Sequence, residues 1–204
     1  AIVILVFNFI IYGISGNTGV AAYGVVANIS LVVASVFTGI AQGVQPLISR
    51  AHGEGEGAKG RSCFCLALIF AAVFSVLVYL IIFFFAEPVA DIFNREHDPF
   101  LTAMAAEGMR IYFTAMPFLG FNIIACTYFS SNEKPLPAHI ISFLRGLLVI
   151  IPAAFLLSSL LALTGVWLSY PVTEIIVCLV SAIIYAVMCR RENRLQKGAN
   201  LGQK

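Results

Sequence analysis

The chain has 204 residues, 60% of them hydrophobic and only 11% charged, with mean hydropathy +0.97 and a formal net charge of +2. A soluble domain carries about a quarter charged residues, so the composition excludes a water-soluble fold and identifies an all-α, polytopic membrane protein. The five cysteines, Cys63, Cys65, Cys126, Cys178 and Cys189, are scattered over apolar segments or their edges and read as reduced thiols rather than a disulfide framework.

Five stretches can span a hydrocarbon core of about 30 Å, which takes about 20 residues: roughly 20–48, 63–86, 110–129, 140–161 and 166–188. Residues 1–12, an apolar run with one polar side chain, Asn8, are about half a span and read as the outer end of a truncated helix. One partial and five full spans predict a six-helix bundle over 1–189, followed by a basic tail over 190–204.

Residues 13–18 (GISGNT) form an uncharged turn. The first full span then carries Asn28, Ser35, Thr38, Gln42, Gln45 and Ser49 at one heptad and then steps of three, four, three and four, which places all six on one helix face. Unpaired amides in hydrocarbon cost several kcal/mol. This face must therefore bond to other helices or line a water-filled cavity, and six residues in register favour the cavity. Gly39 and Gly43 form a small-xxx-small pair that allows close helix approach. Pro46 is expected to kink the span near its inner end. Residues 50–61 hold four glycines, but no strand precedes them and the G-x-x-x-x-G-K-[ST] order is absent, so they read as a mobile cytoplasmic link.

The second full span ends in LIIFFF (80–85), suited to a lipid-facing peripheral helix, and its Cys63-x-Cys65 has no matching second pair, so no metal site is expected. Pro88 and Pro99 are expected to break the outer segment 87–109, with Val89, Ile92 and Phe93 on a short amphipathic turn at the interface. Asp91, Arg95, Glu96, His97 and Asp98 there are expected to face water.

In the third full span Asn122 is the only amide near mid-membrane, and Pro117 is expected to kink the helix and leave the carbonyl near Phe113 in need of a partner. Residues 130–137 form an inner turn. In the fourth span Arg145 is placed near the inner edge, where it can snorkel to phosphates, and Pro152 bends the centre. The last span opens with Trp167 and Tyr170, suited to the outer interface. Tyr170, Glu174, Cys178, Ser181 and Tyr185 form a second polar stripe. Glu174 is the only carboxylate well inside a span. It reads either as a proton-coupling acid or as a structural hydrogen-bond donor to a neighbouring helix.

Ten of the twelve Lys and Arg residues fall on one side: Arg50, Lys59 and Arg61, then Lys134 and Arg145, then the five of the tail. The positive-inside rule therefore places 50–61, the Lys134 loop and the C-terminus in the cytoplasm, with the tail anchored on anionic lipid head groups.

The run Gly39-Ile-Ala-Gln42-Gly43-Val-Gln45-Pro46-Leu-Ile-Ser49 resembles the end of helix eight in multidrug and toxic compound extrusion (MATE) transporters. Asn8 with Gly19-Val-Ala-Ala-Tyr23, Met116-Pro117 with Asn122, Leu144-Arg145-Gly146 with Pro152, and Gly165-Val-Trp167 with Tyr170-Pro171 and Glu174 follow in the family's order. The bacterial drug-export branch is the most similar. The resemblance implies half of a twelve-helix secondary transporter: the C-terminal lobe, from mid-helix seven onward, in a bacterial inner membrane. It implies export of organic cations against inward ion flow by alternating access, with a missing N-terminal lobe of the same chain as partner. Some relatives carry acids on helices seven and ten as a cation site. Helix ten here has no membrane-embedded acid, which favours H+ over Na+ as coupling ion, with Glu174 as candidate. Asn8, Asn28, Ser35, Thr38, Gln42, Gln45 and Asn122 are then expected to line the cavity, with Pro46, Pro117 and Pro152 as hinges.

No cofactor, no metal and no nucleic-acid partner is expected. An enzyme would need a catalytic constellation, but His52, His97 and His139 lie at edges or in loops and Glu174 has no second acid. The alternatives are a lipid-linked sugar flippase of the same superfamily, for which the stripes offer no Lys or Arg, and a non-catalytic structural membrane subunit.

Overall fold

The computed structural model describes residues 2–94 and 98–201, with side chains described through residue 190. Those residues are helical almost throughout, and no strand occurs among them.

The segment Ile2–Gly53 departs from helical geometry only at Gly16, with φ 62° and ψ −154°. Phe7 and Tyr23, on either side of that point, stack with ring centroids 5.3 Å apart, whereas sixteen residues of unbroken helix would separate them by about 24 Å. The chain therefore reverses at Gly16, where a positive φ suits glycine, giving α1 (2–15) and α2 (17–53). After the turn at 54–56 comes α3, Gly57–Phe93, and then α4, Pro99–Ser131. The last helical stretch reverses at Ala162, with φ 50° and ψ −128°, giving α5 (135–161) and α6 (163–201). Gly165 folds so closely onto Leu157 that a Cβ there would stand 1.9 Å from the Leu157 carbonyl oxygen.

Four continuous helical segments are long and apolar enough to cross a membrane, and the first and last each double back once. Small residues fill the helix contacts, among them Ala67, Ala71, Ala105, Ala106 and Ala125, while Leu80, Ile81, Phe83, Phe84 and Phe85 of α3 are exposed. That inside-out distribution is what lipid requires, because large apolar side chains gain nothing by leaving it.

Some expectations hold in part and others fail. Pro88 lies inside α3, but the helix kinks just before it, at Phe85 (φ −116°, ψ 21°). Pro99 opens α4, capped by Asp98, whose Oδ1 accepts the Phe100 N–H at 2.9 Å. Expectations for Arg95, Glu96 and His97 lie outside the described residues. The glycine-rich link shrinks to a short turn held by Arg50–Glu54 and Lys59–Glu56 ion pairs; Glu56 also holds the Lys59 amine above its usual range. Pro46 leaves α2 within helical φ/ψ, so nothing marks it as a hinge. Gly39 and Gly43 approach no neighbour.

Trp167 is no interfacial anchor. It is buried against Gly108 of α4, where a Cβ would lie 2.7 Å from the indole.

Candidate functional site

Two prolines shape the backbone around the site. Pro117 cannot donate to the Phe113 carbonyl. The chain answers with a 3-10 turn, Phe113–Ala115, in which the Met116 N–H takes that carbonyl instead. Pro152 likewise cannot donate to the Leu148 carbonyl. Just before it, Leu144–Leu148 forms one π-helical turn, closed by the Val149 N–H on the Leu144 carbonyl at 3.0 Å. Such widened turns recur at functional sites, and this one carries Arg145.

Arg145 is not at the inner edge. Its Nε lies 2.8 Å from Glu174 Oε1, and the Glu174 side chain is fully buried. The contact is an ion pair; Oε1 receives no aligned hydrogen bond. From the other side Asn122 Nδ2 donates to Glu174 Oε2 at 2.8 Å and to the Glu174 carbonyl at 3.0 Å. Ser181 Oγ donates to Asn122 Oδ1 at 3.3 Å, completing the chain of contacts. Asn122, Glu174 and Ser181 all have zero exposure, so α4, α5 and α6 are tied together by one buried polar network around a single carboxylate. A buried charge survives only when paired and hydrogen-bonded, and both conditions are met.

One turn before Glu174, Tyr170 lies beside Arg145 and stacks on Tyr112 with centroids 4.2 Å apart and an interplanar angle of 2°. These residues, with Phe7, Tyr23 and Ser30, border a cavity of about 180 Å³ between α1, α2, α4 and the α5–α6 pair. Arg145 forms part of its wall, with 30% of its side chain exposed.

The two polar stripes have opposite fates. The second faces inward: Glu174 and Ser181 are in the network, and Tyr185 packs against Phe64 and Tyr128. The first faces outward: Asn28, Ser35, Thr38, Gln42, Gln45 and Ser49 are all exposed. Ser35 and Thr38 donate only to carbonyls of their own helix, those of Val32 and Ala34, so the stripe makes no bond to another described helix. Asn8 is half-buried and outside the cavity wall.

Asn122, expected on the cavity wall, is a buried partner of Glu174 instead. The two stripes carry no Lys or Arg, but Arg145, on neither stripe, forms part of the cavity wall. Sequence reading missed the Arg145–Glu174 pair, although two opposite charges on consecutive spans were the available signal.

The MatE family profile matches residues 2–156. A FAD transporter of Shewanella oneidensis is 27% identical over 164 residues, covering 78% of this chain and 35% of that protein. The multidrug export protein MepA of Staphylococcus saprophyticus is 24% identical over 186 residues, covering 91% of this chain and 40% of that protein. The chain thus spans well under half the length of these relatives. Among solved structures, an outward-facing and an inward-facing conformation of a multidrug resistance MATE family transporter of the MOP superfamily each fit with TM-score 0.86 at 20% identity, covering 96% of this chain and 43% and 44% of theirs.

Proposed function

The chain belongs to the MatE family, and from that premise we propose that it is the C-terminal lobe of a secondary multidrug efflux transporter in a bacterial inner membrane, its C-terminus in the cytoplasm. The observation that carries this reading is the outward stripe of α2. Six polar side chains lie opposite the helix's buried face and bond to no neighbouring described helix, a surface that hydrocarbon would not tolerate. A second, N-terminal lobe across an aqueous cavity satisfies it, and organic substrates then move along that cavity.

The coupling centre is the Glu174 network. Glu174 is the described carboxylate buried at zero exposure, and its neutralisation would free Arg145 and loosen the tie between α5 and α6. Protonation and substrate binding would then favour different states, which is how an inward proton flow drives export. The equal fit to an outward-facing and an inward-facing conformation supports a lobe that rocks as a unit rather than bending at Pro46, Pro117 or Pro152. Pair and network also argue against a purely structural subunit, which needs no charge at its centre.

The test is ethidium export from pump-deficient cells expressing the full-length protein. Export that stops when a protonophore collapses the gradient is the expected result. Unchanged intracellular ethidium relative to empty cells would overturn the transport reading. The relatives' names divide between multidrug export and FAD transport, so the cargo's charge is left to the chemistry of the cavity.

A further inference from the structure

Arginine 145 has more donors than the structure uses. Its guanidinium carries five N–H groups. Glu174 is its ion-pair partner, Tyr170 lies beside it, and no other partner for it is seen among the described residues. About 30% of the side chain is exposed, and it forms part of the cavity wall. The planar fork of an arginine matches a carboxylate or phosphate. The rest of the wall is aromatic: the parallel Tyr112–Tyr170 pair and the Phe7–Tyr23 pair both reach it. The volume of about 180 Å³ equals roughly six waters at ~30 Å³ each, enough for an acidic group and one ring but not for a whole drug-sized molecule. Ala27, Ser30, Leu31 and Ala34 of α2 form the side of the cavity next to the outward polar stripe, so the remainder of a larger molecule would lie along that stripe.

We propose that this cavity is a receptor for the acidic end of an aromatic molecule, an aromatic carboxylate or phosphate, with Arg145 as the residue that reads its charge. Glu174 competes internally for the same guanidinium: while the pair is closed the cavity is close to neutral, and once Glu174 is neutralised the free cation holds an anion. The class of cargo therefore extends beyond the organic cations that the uncharged stripe accommodates. This assignment rests on the transport reading for its biological meaning, but its test is a binding measurement that does not depend on transport.

Fluorescein and rhodamine 123 share a xanthene scaffold and differ in charge. Their binding to the purified full-length protein in phosphatidylcholine nanodiscs is followed by fluorescence polarisation. Fluorescein is expected to bind the unaltered protein. Arg145→Gln should shift the fluorescein-to-rhodamine preference at least tenfold towards rhodamine, with Arg145→Lys recovering part of it. Glu174→Gln should tighten fluorescein severalfold. Ala27→Phe fills the cavity while leaving the ion pair in place, and should abolish fluorescein binding. Lys59→Gln, in the first turn of α3 and outside the cavity wall, should change nothing.

An unaltered preference in both Arg145→Gln and Ala27→Phe, or no fluorescein binding by the unaltered protein, would overturn the proposal even if gradient-driven ethidium export is intact. Because the Arg145→Gln protein leaves Glu174 unpaired, the double variant Arg145→Gln with Glu174→Gln is measured beside it as a folded control and should likewise fail to prefer fluorescein. Phosphatidylglycerol added to the nanodiscs distinguishes the two sources of an acidic group. Displacement of fluorescein by that lipid through Arg145 would assign the cavity to a lipid phosphate and overturn its assignment to an aromatic solute.

Discussion

Arg145 and Glu174 meet 2.8 Å apart from two helices that the chain joins through a sharp reversal at Ala162. Both charges sit where lipid would otherwise forbid them, and each makes the other tolerable. Removing one partner of a buried pair costs about 3–5 kcal/mol, because the survivor is left uncompensated, whereas neutralising both is often close to neutral. Arg145→Gln should thus lower stability by about 3 kcal/mol, towards the lower limit because its side chain is partly exposed. Adding Glu174→Gln should restore most of that loss. Denaturant unfolding of the detergent-solubilised protein measures both, and a double variant as unstable as the single would show that the pairing is not the source.

Asn122 and Gln42 look alike in the sequence and should behave differently. Asn122 is fully buried and holds both the side chain and the carbonyl of Glu174; the carbonyl keeps its helical bond, but Asn122→Leu leaves Glu174 Oε2 without its donor, at about 1–3 kcal/mol for a buried polar group. Gln42 is exposed on α2. Gln42→Leu should keep stability within about 0.5 kcal/mol while reducing dye export. Thermal unfolding read beside ethidium efflux separates the two, and equal destabilisation would contradict the division between network and wall.

Gly108 faces the Trp167 indole at a distance where a Cβ would lie 2.7 Å from a ring carbon. Gly108→Ala must push the ring or α4 aside, which costs typically about 1–3 kcal/mol in a packed interior. Trp167 is the single tryptophan of this chain, so in a protein with no other tryptophan its emission spectrum reports the displacement directly. An unshifted spectrum with unchanged stability would show that the contact is looser than described.

Ala162 holds a positive φ of 50°, a conformation that costs an L-residue on the order of 1–3 kcal/mol and a glycine little. Ala162→Gly should raise stability by about 1 kcal/mol and Ala162→Val should lower it. Chemical unfolding of the pair gives the sign, and a loss in the glycine variant would place the strain elsewhere.

The six helical segments were legible because apolar length and turn chemistry are local properties. The turn at Gly16 is announced by Gly, Ser and Asn neighbours. The reversal at Ala162 falls in the gap left between the spans read as 140–161 and 166–188, although alanine itself carries no turn signal; the positive φ there and the close packing of Gly165 on Leu157 show how tight it is. The α2 stripe was visible because all its members repeat on one face of one helix. The Arg145–Glu174–Asn122 network was not, because it joins three helices, and linear distance from a loop made Arg145 look like an edge residue. Trp167 was misplaced for the same reason: an aromatic at the start of a span is equally suited to a membrane interface or to a glycine-made slot in a neighbouring helix. Prolines were the least readable signal. Pro88 passes within α3, Pro117 produces a 3-10 turn, Pro152 follows a π-turn, and Pro46 leaves α2 regular.

The most direct test of the coupling role proposed for Glu174 is ethidium uptake into everted vesicles containing the full-length protein, driven by an imposed pH gradient, with Glu174→Gln beside the unaltered protein. The expected result is gradient-driven uptake by the unaltered protein and at least a tenfold lower rate in the variant, with ethidium binding retained in both. Equal gradient-driven rates would contradict it, and would move the titrating group out of this network.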